Sequence, residues 1–374
     1  MPSSRPARAF LSAVLCLITV NRTAVLSAQA NDRAGMTGEE LFKKACVACH
    51  AADGKGQPRD VRGFETDPPD FTDCRLTTPE ADLDWDSIIH RGGRARSFDR
   101  MMPSFADELT NEEIAKIILH LRTFCTEPGW PRGDLNLPRP FVTEKAFPEN
   151  EAVVTTTIVP SHEKGVSNDF LYEHRVGKRG QYEINVPLAF QQGTGGSWAA
   201  GVGDVAAAYK HVLFDSFSRG AILSAGGEIT FPTGRESGGL GGGVTVFEAF
   251  GTFSKTIGVD GFLHVHAGFE VPSDAAKAVK ETFWRAAFGK SYMEHRYGRA
   301  WTPMIEVLAA REIVSGAKPE WDLLPQIQVS LSDRQHVLVD VGVRVPVNER
   351  AGRGTSVLAY LLWDWFDGTL FDGW

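Results

Sequence analysis

Valine occupies every second position from Val337 to Val347, while His336, Leu338, Asp340, Gly342, Arg344 and Pro346 fill the places between. A repeat of two with one apolar face is the mark of a β-strand. Residues 181–192 repeat it, with Tyr182, Ile184, Val186, Leu188 and Phe190 set against Glu183, Asn185 and Gln191. The stretch Gly177-Lys178-Arg179-Gly180 reads as a turn that pairs this strand with 170–176. Further runs lie at 202–214, 220–232, 243–256, 260–271, 280–292, 300–312, 320–332 and 354–366, and 153–160 opens the set. The total is twelve candidate strands.

An even number of alternating segments of about ten residues is the pattern of a transmembrane β-barrel, apolar toward lipid and polar toward the lumen. A soluble sandwich alternates in the same way with its apolar face inside. Twelve long strands are too many for one sandwich, and the polar faces carry charge: Glu228 with Thr230, His264 with His266 and Glu270, Asp340 with Arg344. Phe231, Trp301, Trp321, Trp363 and Trp365 are placed to form aromatic girdles, and the sequence ends on Trp374. The expectation is an antiparallel transmembrane β-barrel of about 12 strands over 151–374, in contact with outer-membrane lipid.

The N-terminus agrees. Arg5 and Arg8 precede an apolar run from Ala9 to Val20, and Ala28-Gln29-Ala30 is a small-x-small cleavage site. Residues 1–30 therefore read as a cleaved export signal. The run is too short to span a bilayer, and no later run reaches 18 apolar residues. The formal net charge of −8 speaks against nucleic acid as a partner.

Residues 31–125 have a different texture, with helical signals and four cysteines. Cys46-Val47-Ala48-Cys49-His50 is the C-x-x-C-H of covalent c-type haem attachment. Two thiols at this spacing reach the two haem vinyl groups, and the adjacent histidine becomes an axial ligand of the iron. A redox C-x-x-C or half a zinc site are the competing readings. No second C-x-x-C exists and no βαβ pattern surrounds this one. Thr37-Gly38-Glu39-Glu40 is a capping box that starts a helix leading to Cys46.

Met102, directly before Pro103, is the candidate for the second axial ligand, with Met101 as the alternative. His90 and His120 are rival ligands. Thr110-Asn111-Glu112-Glu113 is another capping box, and Ile114, Ile117, Ile118 and Leu121 give the helix after it one apolar face. His/Met ligation leaves no open position on the iron, which points to electron transfer rather than catalysis.

Through Leu41-Phe42, Cys46, Cys49, His50, Gly54, Gly56, Met102-Pro103 and the helix from Glu112 to Phe124, residues 35–125 resemble a class I c-type cytochrome. The resemblance implies that the first and last helices cross beside a single haem c. Gly203-Asp204-Val205, Tyr209-Lys210, Gly226-Gly227-Glu228 and Phe231-Pro232-Thr233-Gly234 make the second half similar to outer-membrane channel proteins of the phenol-degradation (MetA-pathway) type. The whole arrangement resembles the cytochrome–porin fusions of iron-oxidising bacteria, in which the haem segment is shorter and the barrel larger.

Cys74 and Cys125 remain. In an oxidising compartment they are expected to pair, closing a loop worth about 4 kcal/mol in the chain-entropy model. Buried free thiols are the alternative. Glu80, Asp82, Asp84 and Asp86 surround Trp85 and read as a solvated helix start or a docking face for a cationic partner. Residues 126–150, with five prolines, read as a linker. Twelve strands are too few to enclose a domain of about 12 Å radius of gyration, so the haem domain is expected on the periplasmic mouth.

The fold class is thus multidomain: an all-α cytochrome c domain followed by a membrane barrel. Electron transfer to a periplasmic redox partner, fed by an extracellular reduced metal or small-molecule donor, is the leading function. His264 and His266, with Glu270, either hold ferrous ion or simply line the lumen. A channel for a small solute with a tethered cytochrome is the alternative, and a haem enzyme such as a peroxidase requires Met102 not to be a ligand.

Overall fold

The computed structural model describes residues 33, 35–93, 101–161, 164–192, 196–331, 336–350 and 352–365. The export signal and Trp374 lie outside them. The described residues include six α-helices: α1 (Gly38–Ala45), α2 (Val47–His50), α3 (Arg59–Arg62), α4 (Cys74–Thr77), α5 (Asp82–Arg91) and α6 (Asn111–Leu121). The chain forms two compact units. One takes the residues up to Phe71 together with Asp107–Phe124; the other takes Thr72–Ala106 and everything from Cys125 onward. Thr72–Ala106 therefore packs with the second unit, although it lies within the stretch expected as the helical domain.

In the first unit both capping boxes form. Thr37 Oγ1 accepts from Glu40 N, and Glu40 Oε2 accepts from Thr37 N at 2.8 Å. Thr110 and Glu113 do the same at the start of α6. The expected apolar face of α6 is inside: Ile114, Ile117, Ile118 and Leu121 are all buried, with Leu41 and Phe42 of α1. The first and last helices cross at Gly38, where a Cβ would lie 2.0 Å from the Lys116 carbonyl oxygen, so only glycine fits. Phe42 packs against the rings of His120 and Phe124 at 5.3 and 5.5 Å.

The second unit is dominated by antiparallel strands: β1 (Glu151–Val159), β2 (Gly165–Val176), β3 (Gly180–Gln192), β4 (Val205–Ser216), β5 (Ala221–Phe231), β6 (Val246–Ile257), β7 (Gly261–Pro272), β8 (Glu281–Lys290), β9 (Ala300–Glu312), β10 (Glu320–Ser330), β11 (Val337–Pro346) and β12 (Ser356–Asp364). Each pairs with its sequence neighbour, and β12 pairs with β1, so the sheet closes on itself. Trp198–Val202 and Tyr292–Met293 are short extensions of β4 and β8. These are the twelve strands expected, and the 170–176 run pairs with β3 across the expected turn.

The burial pattern is inverted relative to a soluble domain. Val341 and Val343 face outward and are exposed, while Asp340 between β10 and β12 is fully buried. Lys210, Ser224, Thr252, His264, Glu306 and Gln326 all lie inside. Of the girdle candidates, Phe231 and Trp301 are exposed, Trp321 and Trp363 half-buried, and Trp365 buried against Tyr172 at 5.8 Å.

The Pro-rich segment is the main departure. Its second half is not a free tether but lies inside the barrel. Arg139, Thr143, Lys145, Ala146, Phe147 and Glu149 are all buried. Leu135, Ala146 and Phe147 pack with Val212 and Ile222, and Phe141 packs with Leu308, Leu324 and Leu358 on the opposite wall.

Candidate functional site

The first unit holds the C-x-x-C-H. The chain leaves α1 at Cys46, which is also the residue before α2, so Cys46, Cys49 and His50 sit on one tight turn. His50 N donates to Cys46 O at 2.9 Å, which fixes that turn. The His50 ring stacks on Phe71 at 4.9 Å, and its buried Nδ1 has no hydrogen-bond partner. Burial pulls the imidazole down to about 4, so it is neutral at pH 7, the state that ligates a metal. Burial, then the neighbouring Cys49, pushes the Cys46 thiol up to about 12. Gly54, at φ +76, passes the Phe124 ring so closely that a Cβ would lie 2.9 Å from it. A neutral histidine with an orphaned ring nitrogen, beside two unpaired thiols and an aromatic wall, fits covalent haem.

Met102 belongs to the second unit. Its carbonyl oxygen accepts from Gly93 N at 3.1 Å. It passes so close to the end of α5 that a Cβ on Gly92 would lie 2.9 Å from that oxygen. Met101 is half exposed and Met102 is less so. His90, one rival ligand, lies in the same unit with its ring 5.1 Å from that of Tyr297. His120, the other, lies in the first unit against Phe42 and Phe124. Cys74 and Cys125 form a disulfide with an S–S distance of 2.01 Å, tying α4 to the start of the Pro-rich segment.

The acidic residues around Trp85 are engaged within the chain, and Glu80 and Asp86 are buried. Asp86 is ion-paired with Arg296 and accepts from the Tyr297 hydroxyl at 3.1 Å. Asp82 pairs with Arg132 at 2.7 Å, and Asp82 N donates to Asp134 Oδ1 at 3.1 Å. Gly133 N donates to Thr78 O at 2.7 Å. These contacts fasten α5 to the barrel's 291–299 turn and to the start of the segment that enters the lumen.

Inside the lumen, that segment is bound to strands on every side. Arg139 is ion-paired with Glu151 of β1 and with Glu173 of β2 at 3.0 Å. Its carbonyl oxygen accepts from Tyr360 of β12 at 2.8 Å and from Gln328 of β10 at 3.2 Å. Lys210 of β4 is ion-paired with Glu144 and lies 3.7 Å from Glu183 of β3. Lys145 pairs with Glu149. His264 and His266, expected either to hold ferrous ion or to line the lumen, both face the lumen and hydrogen-bond to this segment. His264 Nε2 donates to Pro138 O at 3.0 Å, and its Nδ1 accepts from Ser254 Oγ at 2.7 Å. His266 Nδ1 accepts from Glu144 N at 3.3 Å, and its buried Nε2 has no hydrogen-bond partner. With both nitrogens used, His264 has no lone pair for a metal.

At the other end of the lumen a second feature emerges from the strand register. Glu228 stands opposite Glu248, Glu248 opposite Glu270, Glu270 opposite Glu281, and Glu281 opposite Glu312. Five carboxylates thus line up across β5 to β9, on the inward face. Like charges directly opposite one another cost stability. Sequence reading found Glu228 and Glu270 as lumen residues but not the row, because register is a property of pairing.

Residues 36–124 match the family model described as Cytochrome c. No curated protein matches the chain. Solved structures similar to it include the KdgM porin, at 9% identity and a TM-score of 0.39, covering 57% of this chain and 99% of that one. The NanC porin gives 7% identity and 0.41 over 57% of this chain and 99% of that one. An outer membrane channel from Pseudomonas putida F1 gives 12% and 0.42 over 61% of this chain and 100% of that one. The chain thus joins a cytochrome c domain, which implies covalent haem c and electron transfer, to a closed antiparallel barrel of twelve strands.

Proposed function

We propose that this protein transfers electrons at the bacterial outer membrane, through one haem c on a barrel that anchors it there. When bound, the group supplies an iron that gains and loses one electron. Cys46 and Cys49 would hold it covalently, and His50 and Met102 would ligate its iron. The observation that carries the membrane reading is the inversion of the barrel: apolar side chains face out and charged ones face in. No aqueous fold gains from that arrangement, whereas a bilayer requires it.

Loop lengths support an orientation. The turns 177–179, 217–220 and 258–260 are short, and they lie at the end where β1 starts. The loops 232–245, 273–280 and 347–355 at the other end are longer. Short turns face the periplasm in barrels of this type. The chain enters the barrel from that end, so the haem domain and its redox partner protein are periplasmic in this reading.

The glutamate row lies at the opposite, extracellular end. A row of carboxylates favours a cationic donor, such as a reduced metal ion, over an anionic one. The solute-channel reading is less favoured, because the lumen is occupied by residues 139–149. The test is protein in liposomes, with ferrous ion held by a membrane-impermeant chelator outside and dithionite as the control. Haem reduction in vesicles with the haem inside is expected, and is slow because residues 139–149 occupy the lumen. No reduction, with the control intact, removes the metal donor and leaves a membrane-anchored cytochrome served from the periplasm.

A further inference from the structure

The segment in the lumen has the shape of a hairpin that, after the short 3-10 turn Gly133–Leu135, has no helix or strand. Leu135 and Asn136 on the way in lie beside Lys145–Phe147 on the way back. Leu135 packs with Ala146 and Phe147, and Lys145 Nζ donates to Asn136 Oδ1 at 3.1 Å. Both ends are at the mouth where β1 begins, so the hairpin can slide out without unthreading the chain. Its tip, Phe141–Thr143, is seated on one side chain of the wall. The Glu306 carboxylate accepts from Phe141 N at 2.8 Å, Val142 N at 3.2 Å, Thr143 N at 2.7 Å and Thr143 Oγ1 at 2.7 Å. Gln326 Nε2 holds the same carboxylate at 2.7 Å. Three consecutive amides converging on one anion form a nest, and here a wall residue fills it.

The rest of the seat is mixed: Leu135, Ala146 and Phe147 pack on Val212 and Ile222, Phe141 packs on Leu308, Leu324 and Leu358, and polar wall groups hold the backbone between them. Ala146 N donates to Ser254 Oγ at 3.1 Å, Ser224 Oγ donates to Ala146 O at 2.6 Å, and Thr252 Oγ1 donates to Glu144 O. This wall, with Lys210, Glu183, Ser224, Thr252, Ser254 and Gln326 facing in, is one that water can wet.

We infer that Arg139–Glu149 is an autoinhibitory plug whose tip is latched by Glu306, and that unseating the tip opens a water-filled path through the barrel. The inference does not depend on the haem or its donor. Glu306→Gln removes the negative charge and turns an NH2 toward the plug's own N–H groups. Thr143→Val removes a single donor and leaves the carboxylate in place.

The test is single-channel conductance of the full haem-loaded protein in planar bilayers. Wild type is expected to stay closed with rare openings. Glu306→Gln is expected to raise the open fraction by about tenfold or more, and Thr143→Val by a smaller factor. A parallel readout uses Val142→Cys, labelled by a thiol reagent that cannot cross the membrane. Labelling is expected to be slow alone and faster when combined with Glu306→Gln. A wild type that conducts steadily overturns the proposal, as does equal conductance and equal labelling with and without Glu306→Gln. If Glu306→Gln does not fold, Thr143→Val decides the outcome: an unchanged open fraction and labelling rate overturn the latch.

Discussion

The two units of this chain bury opposite things. In the helical unit Ile114, Ile117 and Phe42 are inside and Glu112 and Glu39 are outside. In the barrel Val341, Ile305 and Phe269 are outside and Glu306, Asp340 and Lys210 are inside. The same physical rule yields both, since apolar surface leaves water in each case. In the proposed reading water surrounds the first unit and lipid the second. On that reading the sign of the burial pattern reports the solvent, and one polypeptide records two.

Substitutions can break that comparison. The largest effect is expected from Ile117→Asp, which buries an unpaired charge in the helical core and costs about 4 kcal/mol or more. It should unfold the haem unit, read as loss of covalent haem, while the barrel keeps its resistance to detergent. Val341→Arg comes next. On a lipid-facing position it should cost about 2–4 kcal/mol near the bilayer midplane, read in denaturant unfolding from vesicles. In a water-facing position the same change would cost almost nothing. Smallest of all, Val341→Leu should shift stability by less than about 0.5 kcal/mol, since lipid accepts either side chain. Equal tolerance of arginine and leucine at position 341 would remove the lipid-facing assignment.

The sequence carried more of the fold than of the lumen. Alternation is a local signal, so the twelve strands were legible from Val337–Val347 and its counterparts. The capping boxes at Thr37 and Thr110 marked their helices for the same reason. The plug was not legible, because a hairpin without secondary structure has no period, and Pro138, Pro140 and Pro148 read as linker punctuation. Phe141 and Phe147 were the available clue, since a solvated tether has no use for two such rings. The roles of His264 and His266 were hidden likewise, because their partners Pro138 and Glu144 lie more than 120 residues away. Met102, by contrast, was singled out by its place before Pro103, and its ligand role stands on that motif.

The most direct test of the account asks whether one chain is both a covalent cytochrome and a membrane barrel. Cells producing it would be fractionated, and the outer-membrane fraction run on a denaturing gel with and without boiling, then stained for haem. The account predicts a haem-staining band in that fraction whose mobility shifts on boiling, and no haem stain for the Cys46→Ser, Cys49→Ser double variant. Haem stain confined to the soluble periplasmic fraction, or a band whose mobility ignores boiling, would contradict it.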